Sequence, residues 1–178
     1  MPHIKNNSII VSLQNGIGNF ESISEFIDAE RIVYGITTHG ASKDGHSILR
    51  FGGHGTIEFG GKSGESVERL STFFNKTELD FTVTATPEKS VWQKALINAG
   101  INPIASIMNI TNGEIIKSSY LKNLQKKILI EGAAAAECAG VKIDREEIIK
   151  RTIEVCSNTS SNRCSMLQDI TSKRKTEI

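Results

Sequence analysis

Short β-branched runs alternate with helical spacing along the first half of the chain, and helical spacing alone fills the second. Ser8 to Leu13 is apolar, β-branched and bounded by polar or turn residues, the texture of a buried parallel strand. The glycine turn Gln14-Asn15-Gly16-Ile17-Gly18 follows at once. Phe20, Ile23, Phe26 and Ile27 then recur at helical spacing, so strand, turn and helix succeed one another as in a βαβ unit. Arg31 to Thr38 reads as a second buried strand. In the glycine-rich stretch up to Gly61, Ser47 to Phe51 and Thr56 to Phe59 are extended segments expected to pair as a hairpin. Val67, Leu70, Phe73 and Phe74 predict a helix, and Asp80 to Thr84 alternates like a half-exposed strand.

Beyond Pro87 the pattern becomes helical throughout. A long helix is predicted from Pro87 to about Met108, interrupted or bent at Pro103, because proline has no N–H for the helical ladder. A second runs from about Ser119 to Ala139, with serine to cap it and Gly140 to end it. A third starts at Asp144, which forms a capping-box pattern with Glu147 ahead of Ile148, Ile149, Ile153 and Cys156. Met166, Leu167 and Ile170 mark the last. The expected division is an α/β part over residues 1–86 and an all-α part over 87–178, without internal repeat.

Composition narrows the partners. The chain has 178 residues, 38% of them hydrophobic, the apolar share of a globular protein. With 21 basic against 20 acidic side chains, its net charge of +1 gives no pull toward nucleic acid or an anionic membrane. Small molecules or proteins are the expected partners, together with an oligomer or a complementary chain. Cys138, Cys156 and Cys164 show no C-x-x-C spacing and fall in helical segments, which predicts reduced, structural thiols in a cytoplasmic chain. No apolar run approaches the roughly 20 residues of a membrane span, and the opening residues lack a signal peptide's apolar core. His39, His46 and His54 fit no metal motif, so no metal is expected.

Three segments carry candidate chemistry, each with a plainer reading beside it. Asn15-Gly16-Ile17-Gly18 ends a predicted strand, where open α/β sheets place ligands; it is equally an ordinary tight turn, since Glu21 stands where G-x-G-x-x-G needs its third glycine. Lys94, Asn98 and Asn102 are four apart and share one helical stripe, offering an ammonium and carboxamides to a carbonyl and hydroxyls, or else forming a solvated face. Asn162 to Ile170, followed by Lys173-Arg174-Lys175, is a capped helix with a basic surface turn or part of an anion-binding region.

Taken in order, these segments resemble the ketopantoate reductase (2-dehydropantoate 2-reductase) family across nearly the whole chain. The matching elements are Asn15 to Gly18 after a strand; Gly35 to Ala41 with Asp44-Gly45; Trp92-Gln93-Lys94 through Asn98 to Asn102-Pro103; Asn112-Gly113-Glu114; and Ser165 to Ile170 running to Thr176-Glu177-Ile178. The resemblance implies the C-terminal part of a Rossmann-type parallel sheet, then an all-α domain like that of 6-phosphogluconate dehydrogenase. It implies reduction of ketopantoate to pantoate with NADPH, NADH being left open, for pantothenate and coenzyme A synthesis.

By the same resemblance Lys94 is the catalytic proton donor, and Asn15, Asn98, Asn102, Asn112, Asn162 and Ser165 bind substrate. Asn15, Ala41 and Glu177 are implied at the cofactor. The family's opening strand and G-x-G-x-x-G turn, and its helices after Glu177, have no counterpart here. The chain is therefore expected to correspond to the middle and C-terminal part of such an enzyme. The alternatives are an inactive remnant or interaction module, and a related 2-keto-acid reductase.

Overall fold

In this computed structural model the structure describes residues 4–44 and 47–176, the side chains of 42–44 excepted. The first apolar run forms β1 (Ile10–Ser12), and the second forms β2 (Ile32–Thr37), which lies parallel to it with Val11 opposite Val33. The helix between them, α1 (Asn19–Ser24), is shorter than its spacing predicts and leaves Phe26 71% exposed beyond its end. A 3-10 turn over Ala29–Arg31, capped by Asp28, leads into β2.

The glycine-rich stretch departs from expectation. The hairpin forms between β3 (Gly40–Asp44) and β4 (Ile48–Gly53), not between 47–51 and 56–59. The segment at 56–59 instead becomes β5 (Ile57–Gly61), antiparallel to β2 with Phe59 opposite Gly35. It enters the main sheet because Ile57 and Phe59 both point into the core, whereas β4 is exposed along nearly its whole length. After α2 (Gly64–Phe74), whose start is capped by Ser63, β6 (Phe81–Val83) pairs parallel to β5. The sheet order is β1-β2-β5-β6.

Helices pack on both faces of this sheet. Val33, Ile57 and Phe59 meet Leu70 and Phe74 of α2, with Phe81 stacked on Phe59 at 5.6 Å between ring centres. Tyr34 points the other way, as strand alternation requires, and packs on Phe20 of α1 at 4.6 Å. Burial raises the Tyr34 phenol, and the carboxylates of Glu88 and Glu21 push it further the same way.

The helix α3 (Pro87–Met108) is continuous across Pro103. The chain divides into two units, Met1–Val91 and Trp92–Ile178, with the boundary inside α3. In the second unit α4 (Asn112–Lys117) is a short helix that the apolar pattern does not announce. It is followed by α5 (Ser119–Cys138), α6 (Arg145–Asn158) and α7 (Ser165–Thr171). Ser118 caps α5, and its far end is a Schellman motif: Val141 N–H donates to the Ala136 carbonyl at 2.9 Å and Gly140 N–H to that of Glu137 at 3.0 Å. Gly140 supplies the left-handed φ of 86°. Asp144 caps α6 through the Glu147 amide at 2.8 Å.

The core of this unit has two parts. Leu96, Leu129, Ala133, Ala136, Val141, Ile143 and Ile148 form one, and Ile101, Ile104, Ala105, Ile115, Cys156, Cys164 and Leu167 the other. Gln125, 2% exposed, stands in this interior and donates from Nε2 to the Gly100 carbonyl at 3.1 Å and to Cys156 Sγ at 3.6 Å. Burial pushes the Cys156 thiol up, which keeps it protonated. Gln125→Leu keeps the volume but removes the donor, and is expected to destabilise the second unit by about 1–3 kcal/mol. A urea midpoint equal to wild type would show that this bond adds nothing.

The three cysteines are unpaired, Cys138 being exposed and the other two buried. Among the described residues no helix is long and apolar enough to cross a membrane.

Candidate functional site

Lys94, Asn98 and Asn102 occupy one stripe of α3, all three half-buried. At 1.5 Å per residue the stripe is about 12 Å long, the reach of a small polar ligand. The stripe persists because α3 is unbroken: Leu96, Ile101, Ile104 and Ala105 bury the adjoining faces and hold the helix in register. The lower end of the stripe meets α7. Cys164 Sγ lies 3.7 Å from the Asn102 carbonyl and 3.6 Å from Ser106 Oγ.

Cys164 also caps α7, accepting from the Leu167 amide at 3.4 Å. Ser165, the first residue of that helix, is thereby placed beside the Asn102 turn with its side chain exposed. Arg163 ties the same segment to the end of α3 by donating from Nη2 to Asn109 Oδ1, Asn109 being in the left-handed region at φ 54°. Beyond α7 the basic turn folds back on itself, Arg174 Nη2 meeting Asp169 Oδ1 at 2.9 Å, as a surface turn would.

Asn112 and Asn162 are also joined, the Asn112 amide donating to the Asn162 carbonyl at 3.0 Å. Asn162 is exposed, but Asn112 is 7% exposed, and its Nδ2 donates to Thr159 Oγ1 at 2.9 Å. The second unit thus draws together Asn102, Asn112, Asn162 and Ser165, with Asn98 and Lys94 further up α3.

In the first unit, Asn15 begins the turn at the C-terminal end of β1. Gly16 and Gly18 take φ of 91° and 88°, and a Cβ on either would meet nothing within 4 Å. The glycines are there for the backbone conformation, and they leave the main chain open to close approach by a flat or phosphorylated ligand. Asn19 Nδ2 fixes the turn by donating to the carbonyls of Asn15 at 3.0 Å and Gly16 at 3.3 Å. Ala41 is exposed near the start of β3, opposite Phe51. Glu177, expected at the cofactor, and Gly45 lie outside the described residues.

The sequence reading missed α4, although Thr111 and Glu114 carry the T-x-x-E signature of a helix start. The Thr111 amide and hydroxyl donate to Glu114 Oε2 at 2.8 and 2.9 Å. The bond from the Thr111 amide, then that from its hydroxyl, holds the Glu114 carboxyl below the usual carboxylate range. A depressed folded-state value means that this cap contributes fully above the unfolded pKa and is lost as pH falls through the folded one. The Thr111 amide is therefore expected to exchange faster only on the acid side of the ordinary glutamate range. Exchange measured across that range would show no change if the carboxylate does not hold the cap. Cys164 as a cap had no comparable signal.

Comparison with known proteins places the chain in a family. The model described as "Ketopantoate reductase PanE/ApbA C terminal" matches residues 88–178, and "Ketopantoate reductase PanE/ApbA" matches residues 1–64. The 2-dehydropantoate 2-reductase of Halobacterium salinarum is 31% identical over 174 residues, covering 96% of this chain and 57% of the relative. That of Pyrococcus horikoshii is 36% identical over 175 residues, covering 95% and 56%. A D-mandelate dehydrogenase solved with NADH superposes with TM-score 0.91 at 25% identity, over 98% of this chain and 60% of that one. A probable 2-dehydropantoate 2-reductase from Bacillus subtilis gives 0.81 at 25%, over 98% and 59%. The chain thus spans well under two thirds of the length of the curated relatives it matches.

Proposed function

The chain belongs to the ketopantoate reductase family, and we propose that it carries the substrate-binding and proton-donating residues of an enzyme that reduces ketopantoate to pantoate, for pantothenate and coenzyme A synthesis. The observation that supports this best is the Lys94, Asn98, Asn102 stripe meeting the capped start of α7, where Ser165 and Asn162 stand exposed. NADPH, when bound, supplies the hydride.

This chain's own residues do the rest. The Lys94 ammonium donates a hydrogen bond to the C2 keto oxygen, steadies the negative charge that develops there and gives it a proton. Asn98 and Asn102 serve hydroxyl and carbonyl groups with carboxamides that donate or accept without adding charge. Ser165 and Asn162 hold the carboxylate end, and Asn112, expected to bind substrate, stands behind them with its carboxamide turned to Thr159. By the family resemblance Asn15 serves substrate and cofactor, and Ala41 and Glu177 serve the cofactor. Such a reaction on soluble metabolites belongs in the cytoplasm, where unpaired cysteines persist.

A second reading, an aryl 2-keto-acid reductase using NADH, is favoured by the likeness to D-mandelate dehydrogenase. The two are separated by assaying ketopantoate and phenylglyoxylate with residues 1–178 joined to the remaining length of the Halobacterium salinarum relative. Preference for ketopantoate is expected. Preference for phenylglyoxylate would replace it by the second reading, and no turnover of any 2-keto acid by this fusion would sink both.

A further inference from the structure

The turn from Thr159 to Asn162 leads out of α6 toward Cys164, and the start of α4 grips it. The Asn112 amide donates to the Asn162 carbonyl at 3.0 Å and the Gly113 amide to that of Ser160 at 3.1 Å. The Asn112 carboxamide donates from Nδ2 to Thr159 Oγ1 at 2.9 Å. Thr159 gives its own hydroxyl proton to the Val155 carbonyl at 2.6 Å, so it can only accept from Asn112. That fixes the carboxamide with its amino end toward Thr159. Its oxygen is left enclosed and without a partner among the described protein atoms.

Gly113 lets the grip close. A Cβ there would lie 2.7 Å from Ser160 Cβ and 2.9 Å from its Cα and carbonyl oxygen, so Ser160 would have to back away. Three hydrogen bonds and the glycine fit hold the turn onto α4, as a placed binding segment requires.

We propose that Gly113 and Thr159 are positioning residues, locking the 159–162 turn onto α4 and thereby setting where Asn162 and Ser165 stand for the substrate. The role deepens the substrate-binding reading above and rests on it. Alanine at position 113 forces the turn off α4, and valine at 159 removes both the acceptor for Asn112 and the donor to Val155. Serine at 159 retains both.

The test uses the chain as it is, isotope-labelled, with pantoate as the probe. In Gly113→Ala the amides of residues 112 and 113 are expected to exchange about tenfold faster than in wild type. Pantoate should bind about tenfold more weakly to Gly113→Ala and Thr159→Val, with Thr159→Ser restoring wild-type affinity. Ala133→Gly, in the other core cluster, is expected to lower thermal stability yet leave pantoate affinity within about twofold. Unchanged exchange in Gly113→Ala, or faster exchange with unchanged pantoate affinity, overturns the positioning role. Wild type with both amides protected and no pantoate binding overturns the substrate reading, while the grip on the turn stands.

Discussion

Replacing Lys94 by alanine is expected to lower ketopantoate reduction by about 10²–10⁴-fold with the fold intact. The side chain is half-buried on a helix whose neighbouring positions, Leu96 and Ile101, carry the packing, so truncation removes the ammonium without opening the core. What is lost is the proton for the reduced oxygen and the charge that steadies it beforehand. Both matter most in the transition state, so kcat should fall far more than KM rises. Lys94→Arg keeps the charge but holds its proton too tightly to give it up, and should recover substrate affinity without recovering turnover. The measurement is ketopantoate-dependent NADPH oxidation by residues 1–178 joined to the remaining length of the Halobacterium salinarum relative. An alanine variant with unchanged kcat would remove Lys94 from the chemistry.

Phe59→Ala should destabilise the sheet unit by about 3–5 kcal/mol, a large part of the roughly 5–15 kcal/mol that holds a whole domain together. Phe59 is fully buried at the middle of β5, with the rings of Phe74 and Phe81 each 5.6 Å away, so its loss empties a cavity flanked by both neighbours. Trp92, the single tryptophan, packs on the first helical core cluster and reports the other unit separately. Urea unfolding followed by amide exchange in β2 and β5 should show an early loss of the sheet, with the tryptophan signal changing at its wild-type midpoint. Unaltered protection of those strands would mean that the aromatic trio is not what holds the sheet to α2.

Where periodicity is strong, expectation and structure agree closely. Residues 119–139 repeat their apolar positions often enough to bury Gln125, Leu129, Ala133 and Ala136 on one face. Gly140 marks their end by its left-handed backbone, and Asp144 marks the start of α6 by a side chain that accepts from the Glu147 amide. The exceptions are instructive. Phe26 fits the helical spacing of α1 but is left outside it, and Ile48, Leu49 and Phe51 look like a core strand yet are exposed. Apolar character shows that a segment could be buried; it does not name the surface that would bury it. Asn112, an isolated polar residue in sequence, is among the more deeply enclosed residues of the helical unit.

The sequence by itself determined the order of strands and helices in the main, the spacing that puts Lys94, Asn98 and Asn102 on one stripe, and the motif order that marks the family. The first two follow from dihedral preference and side-chain periodicity within a few residues; the third is carried by resemblance. Tertiary structure alone decided that residues 48–53 pair back with 40–44 while 57–61 cross to β2. It alone decided that Cys164 caps α7 beside Asn102. It also joined Asn112 and Gly113 to residues 159–162, nearly fifty positions away. Such contacts depend on which surfaces remain to be buried, and which polar groups remain to be paired, once the whole chain has collapsed.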